Sequence, residues 1–154
     1  MTKNNTPRET PHIEKILKGS RLKVTPQRTA ILEYLLSTYA HPSADTICNE
    51  VRKKHPSVSR NTVYQTLDFF EGKRLIFAIM DTEGVRRYDA HTDPHIHLIC
   101  LDCGAIIDTP YDDRRILGKV KKYFKPEKSV VYIYGHCVPG NPAGCAPRED
   151  ARKE

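Results

Sequence analysis

Residues 91–108, HTDPHIHLICLDCGAIID, gather three histidines, two cysteines and three aspartates into eighteen positions. Imidazole, thiolate and carboxylate are the side chains that bind transition metals, so the question is how many ions such a set can hold. Cys100-Leu-Asp-Cys103-Gly is a C-x2-C knuckle, in which both thiolates reach one ion across a tight turn. A second pair, Cys137 and Cys145, follows in YGHCVPGNPAGC with seven residues between them. Four thiolates in a reduced compartment point to a structural Zn2+ site made by Cys100, Cys103, Cys137 and Cys145. His136 is the alternative fourth ligand. Such a site contributes on the order of 10 kcal/mol to folding.

If IHLIC is a strand, its side chains alternate between faces. His95 and His97 then share one face, and Ile96, Leu98 and Cys100 share the other. One ion cannot easily take ligands from both, so the parity predicts a second, nitrogen-rich site. Asp89, Asp108 and the distant His41 are its candidate partners. Histidine with carboxylate and no thiolate suits Fe2+, Mn2+ or Zn2+ better than Cu(I). His91 and Asp93 are left over as solvated turn residues. Cys48 stands alone on an apolar helical face and reads as a small core residue.

The elements that must position these ligands belong to a chain of 154 residues with net charge +6. That length fits one medium domain or two small ones. No apolar run is long enough to span a bilayer and no signal-peptide pattern opens the chain, so a cytoplasmic protein is expected. Five cysteines there point to metal or redox chemistry before disulfides. Residues 1–91 hold 15 Lys/Arg against 10 Asp/Glu, whereas 92–154 hold 10 against 9. The pattern predicts a basic N-terminal domain over 1–91, with residues 1–10 a mobile arm. A metal-binding domain follows over 92–154, with a polar tail at 146–154.

VTPQRTAILEYLLSTYA opens with Thr25 as cap and Pro26 at the first helical position. Ile31, Leu32, Leu35 and Tyr39 form its apolar stripe. HPSADTICNEVRKKHP is a second helix capped by Ser43, with Ile47, Cys48 and Val51 inward. A third starts at Ser59, buries Val63, Leu67 and Phe70, and stops at Gly72. LIFAIM and VRRYDA then read as a hairpin turned by DTEG. Three helices and a hairpin are the layout of a winged helix-turn-helix, whose third helix enters the major groove of double-stranded DNA. Arg60, Asn61, Tyr64 and Gln65 lie on the groove-facing side. Arg and Gln suit bidentate contacts to base edges, and Lys73, Arg86 and Arg87 are expected near phosphates. The fold class is therefore α+β, a winged helix-turn-helix followed by a small α/β domain with a structural zinc site.

RLKVTPQR, AHPSAD, NTVYQTL, RRYD, HIHLICLDCG and YIYGHC, in this order, resemble the ferric uptake regulator family, and the matches run from about Arg21 to Cys145. The resemblance implies a homodimeric, metal-dependent transcription factor. Its second domain would dimerise, with PYDDRRILGKVKKYF a helix between strands and VVYIYG a central strand. The family's regulatory site falls on His41, Asp89, His95, His97 and Asp108, and Tyr64 falls on a DNA-contacting position. Ferrous-iron sensors of the family generally carry Glu where this chain has Asp108, and the peroxide-sensing branch carries Asp. Ligands of the family's auxiliary site would fall at Pro94, Ile96 and Ser129, which cannot serve.

The resemblance thus implies a repressor that senses peroxide when Fe2+ occupies the regulatory site and oxygen is added to His41 or His95. With Mn2+ it would be insensitive to peroxide. The Cys137–Cys145 spacing departs from the C-x2-C usual in peroxide sensors. An iron-responsive repressor of the same family is the alternative, and a zinc-stabilised DNA-binding module without sensing is a remoter one. An enzyme is disfavoured because no separate acid, base or substrate-binding motif accompanies the ligands.

Overall fold

The computed structural model describes residues 10–112, 114–126, 129–138 and 140. Of the arm expected over 1–10, residues 1–9 lie outside them, as do Cys145 and the polar tail, whereas Thr10 begins a helix. The chain divides into two compact units, residues up to 80 with 85–92, and residues 81–84 with those from 93 onward. No helix among the described residues is long and apolar enough to cross a membrane.

The first unit contains α1 (Thr10–Gly19), α2 (Pro26–Ser37), α3 (Ala44–Lys54), α4 (Arg60–Gly72) and the antiparallel hairpin β1 (Phe77–Met80) and β2 (Arg86–Asp89). The starts of α2, α3 and α4 follow the expected chemistry. Thr25, Ser43 and Ser59 each accept the backbone N–H three residues on, at 3.3, 3.2 and 3.1 Å, satisfying donors that a helix start otherwise leaves open. Ile31, Leu32, Leu35, Ile47, Cys48, Val51, Val63, Leu67 and Phe70 are buried together in one apolar core.

Three details differ from the sequence reading. Helix α1 was not anticipated, although Ile13, Ile16 and Leu17 have helical spacing; Ile13 and Leu17 are fully buried and Ile16 packs on the same core. Tyr39 lies beyond the end of α2 and is exposed, so it is not part of that helix's buried stripe. The left-handed residue after α4 is Arg74, with φ 58°, and Gly72 is still helical.

The second unit contains β3 (His95–Cys100), β4 (Ile106–Pro110), α5 (Arg114–Val120) and β5 (Val131–Gly135). Strand order is β4-β3-β5, with β4 antiparallel and β5 parallel to β3. The segment VVYIYG was expected at the centre; β3 is there instead, and β5 is an edge among the described residues. The reason lies in connection length. A tight turn lets β4 pair directly beside β3, and the crossover through α5 returns β5 to the one side of β3 still open.

Candidate metal centres and nucleic-acid face

His41 and Asp89 are brought together within the first unit by the way the loop after α2 is attached to β2. The Pro42 carbonyl accepts the Tyr88 N–H at 3.0 Å, and Ser43 forms a bridge with Arg87. His41, between this attachment and the end of α2, has left-handed backbone with φ 47°. That conformation costs a non-glycine residue about 1–2 kcal/mol, and surrounding contacts must hold it. His41 is 2% exposed and Asp89 3%, and a ring nitrogen of one lies within 4.8 Å of a carboxylate oxygen of the other. Asp89 Oδ1 also accepts the His91 backbone N–H at 2.7 Å.

Within the second unit, β3 sets the parity that the sequence predicted. His95 and His97 share a face, their rings edge-to-face with centroids 4.4 Å apart. The β3–β4 register places Asp108 directly opposite His97. Its Oδ1 lies 3.1 Å from His97 Nδ1 and 3.7 Å from His95 Nε2. Two imidazoles and a carboxylate on one side of two paired strands, with His97 only 3% exposed, form a donor set that fits Fe2+, Mn2+ or Zn2+.

The knuckle forms a separate cluster in the same unit. Sulfur atoms of Cys100, Cys103 and Cys137 lie within 4.8 Å of one another, close enough to converge on one tetrahedral Zn2+. The Gly104 N–H donates to the Cys100 carbonyl at 3.0 Å and closes the turn. Burial pushes the Cys100 thiol up, but backbone N–H donors of Cys103 and Asp102 and the Cys137 thiol outweigh it, bringing its pKa down to about 6. A thiol so disposed is readily deprotonated, as a zinc ligand must be. His136, the alternative ligand, is instead engaged through Nδ1 with Asp102 Oδ2 at 2.9 Å. It does not join the sulfur cluster among the described residues.

Helix α4 exposes Arg60, Asn61, Tyr64 and Gln65 on the side opposite Val63, Leu67 and Phe70. Arg60 Nε lies 3.6 Å from Asp45 Oδ1 of α3, both exposed. Arg86 differs from expectation: it is ion-paired with Glu71 and lies 3.8 Å from Asp68, over the Tyr88 ring. The hairpin brings it back onto α4, so it fastens the wing to that helix. His91 also differs. It is half-buried, its ring stacked on Tyr39 with centroids 3.8 Å apart and interplanar angle 6°. Adjacency to Asp89 was a signal for it, but the stacking partner lies in a distant segment.

A winged helix joined in sequence to a small α/β unit carrying a thiol cluster and a His–Asp cluster is the build of a metal-dependent winged-helix regulator. The chain belongs to the ferric uptake regulator family, whose profile matches residues 19–132. The Peroxide operon regulator of Bacillus subtilis (strain 168) is 38% identical over 124 residues, 79% of this chain and 86% of that protein. The Helicobacter pylori ferric uptake regulator Fur, whose structure reveals three functional metal binding sites, superposes with a TM-score of 0.68 at 28% identity, covering 89% of this chain and 95% of the other. The Campylobacter jejuni peroxide stress regulator gives 0.66 at 25% identity, covering 87% and 99%.

Proposed function

We propose that this protein is a metal-dependent transcriptional repressor that binds operator DNA through α4 and releases it on exposure to peroxide. The observation that carries the reading is the His95–His97–Asp108 cluster, built with aspartate at 108, together with 38% identity to a peroxide operon regulator. An iron-responsive repressor is the reading it displaces.

In this proposal His41 and Asp89 from the first unit and His95, His97 and Asp108 from the second ligate one Fe2+ or Mn2+. Cys100, Cys103 and Cys137, with Cys145, hold a structural Zn2+. An ion that draws ligands from both units favours whichever arrangement of them satisfies all five. Occupancy thereby selects one conformer, as a ligand-driven switch requires. Fe2+ held there would supply the reduction of hydrogen peroxide, one oxygen passing to an imidazole carbon and the other leaving as water, which Mn2+ would not. The imidazoles of His41 and His95 are the groups proposed to gain oxygen. A modified imidazole is a poorer donor, so its loss ends the bias towards the DNA-binding conformer.

Exposed Arg60, Asn61, Tyr64 and Gln65 on α4 meet the DNA. The active form is a homodimer paired through the second unit. Among the described residues β5 is an edge strand with Tyr132, Ile133 and Tyr134 exposed, and an apolar edge invites pairing with another chain. The regulatory metal serves sensing rather than turnover, and the protein acts in the cytoplasm.

The test loads the zinc-containing protein with Fe2+ or Mn2+ under anaerobic conditions and adds peroxide. It follows binding to a duplex selected in vitro with the Mn2+ form, and measures peptide masses. The expected result is DNA release only with Fe2+, with one oxygen atom gained on the peptide carrying His41 or His95. Iron-dependent binding indifferent to peroxide would establish the iron-responsive alternative instead.

A further inference from the structure

His91 has no place in the ligand set, yet its surroundings are specific. Its backbone N–H donates to Asp89 Oδ1 at 2.7 Å. Its ring lies flat on Tyr39 with centroids 3.8 Å apart. Its Nε2 is 3.0 Å from the Thr38 carbonyl; a carbonyl only accepts, so the contact requires the Nε2–H form. Thr38 in turn accepts the Ala40 N–H on its hydroxyl at 3.1 Å.

The loop 38–43 is thus attached to the segment 87–91 at two places. The inner attachment is Pro42 to Tyr88 with the Ser43–Arg87 bridge. The outer one is His91 to Thr38 and Tyr39. His41 lies between the attachments on one segment and Asp89 lies between them on the other. His41 is also the residue whose left-handed backbone, φ 47°, must be held by something outside itself.

We infer that His91 is a positioning residue for the regulatory metal. It acts as a clasp that presets His41 and Asp89 for one cation before the cation arrives. The inference rests on the reading of His41 and Asp89 as ligands. A ligand pair already in place loses less conformational freedom on binding than one that must be gathered, so the clasp strengthens metal affinity without touching the ion. Partners that orient metal ligands typically change affinity about 10–100-fold when removed.

The test titrates zinc-loaded, full-length protein with Mn2+, following the electron paramagnetic resonance of the free aquo ion. His91→Val removes ring and donor together, and its Mn2+ affinity is expected to fall about 10–100-fold. His91→Phe keeps the stack and His91→Gln keeps a donor, so both should fall between Val and wild type. Nitrogen NMR of the metal-free protein should show His91 as the Nε2–H tautomer. Unchanged Mn2+ affinity in His91→Val, where His41→Ala abolishes binding, overturns the clasp and leaves the ligand assignment standing. If His41→Ala binds Mn2+ normally, the ligand assignment itself fails and the clasp with it. Should His91→Val lose its zinc, the folded His91→Phe variant decides: weakened Mn2+ binding supports the clasp, and wild-type affinity overturns it.

Discussion

Replacing Gly104 by alanine tests whether the knuckle's shape is set by backbone conformation or by crowding. Gly104 has φ +70°, and a Cβ built there meets Thr82 Oγ1 at 3.5 Å, an ordinary van der Waals contact. Sterics therefore contribute little. The cost is that of an alanine in left-handed backbone, about 1–2 kcal/mol. It is partly offset because alanine restricts the unfolded chain, which by itself stabilises by about 0.4–1 kcal/mol. The difference is a destabilisation of roughly 1 kcal/mol, or about fivefold in zinc affinity if the turn must form for zinc to bind. In a unit of this size it corresponds to about 4–8 °C in melting temperature.

Gly118 supplies the opposite case. It lies inside α5, and nothing would meet a Cβ there within 4 Å. Gly118→Ala should therefore stabilise by about 0.5–1 kcal/mol. The assay is zinc competition against a chromophoric chelator, with thermal denaturation of the zinc-loaded protein. A neutral or stabilising Gly104→Ala, or effects of the same sign at both glycines, would refute the reasoning.

Ser59→Ala removes the cap of α4, whose hydroxyl accepts the Thr62 N–H at 3.1 Å. A loss of about 1 kcal/mol is expected in urea unfolding, and unchanged stability would contradict the cap. Arg60→Ala should weaken operator binding. If Arg60 contacts phosphate, the slope of log K against log salt should shrink by about one contact; an unchanged slope with relaxed base preference would make it a base reader. Cys103→Ser should abolish stoichiometric zinc and with it cooperative folding of the second unit, measured by metal analysis and near-ultraviolet circular dichroism. Retention of tightly bound zinc would remove Cys103 from the ligand set.

Local chemistry wrote much of this protein plainly. Thr25, Ser43 and Ser59 announce helix starts because a hydroxyl before an apolar-periodic run has one effective use there. The alternation in HIHLIC separates His95 and His97 from Cys100 because strand parity is fixed by backbone geometry. The motifs from Arg21 onward carried the family.

Helix α1 carries the same Thr-Pro start signal, Thr10-Pro11, as α2, but it is short and only Ile13, Ile16 and Leu17 supply its apolar face. Their burial depends on the core formed by α2, α3 and α4. The edge position of β5 depended on which side of β3 the hairpin to β4 left open. Arg86 looked like a phosphate contact until the hairpin returned it to Glu71 and Asp68. Likewise His91 looked like a solvated turn residue until Tyr39 came to lie against it.

By itself, then, the sequence determined which side chains are of metal-binding type, the caps, the parity of β3 and the family. Each of these follows from a residue's own chemistry and its neighbours within a turn or a strand. Only the tertiary structure decided the partners of Arg86, His91 and His136. A long-range contact is chosen by where the whole chain closes, which no local window contains.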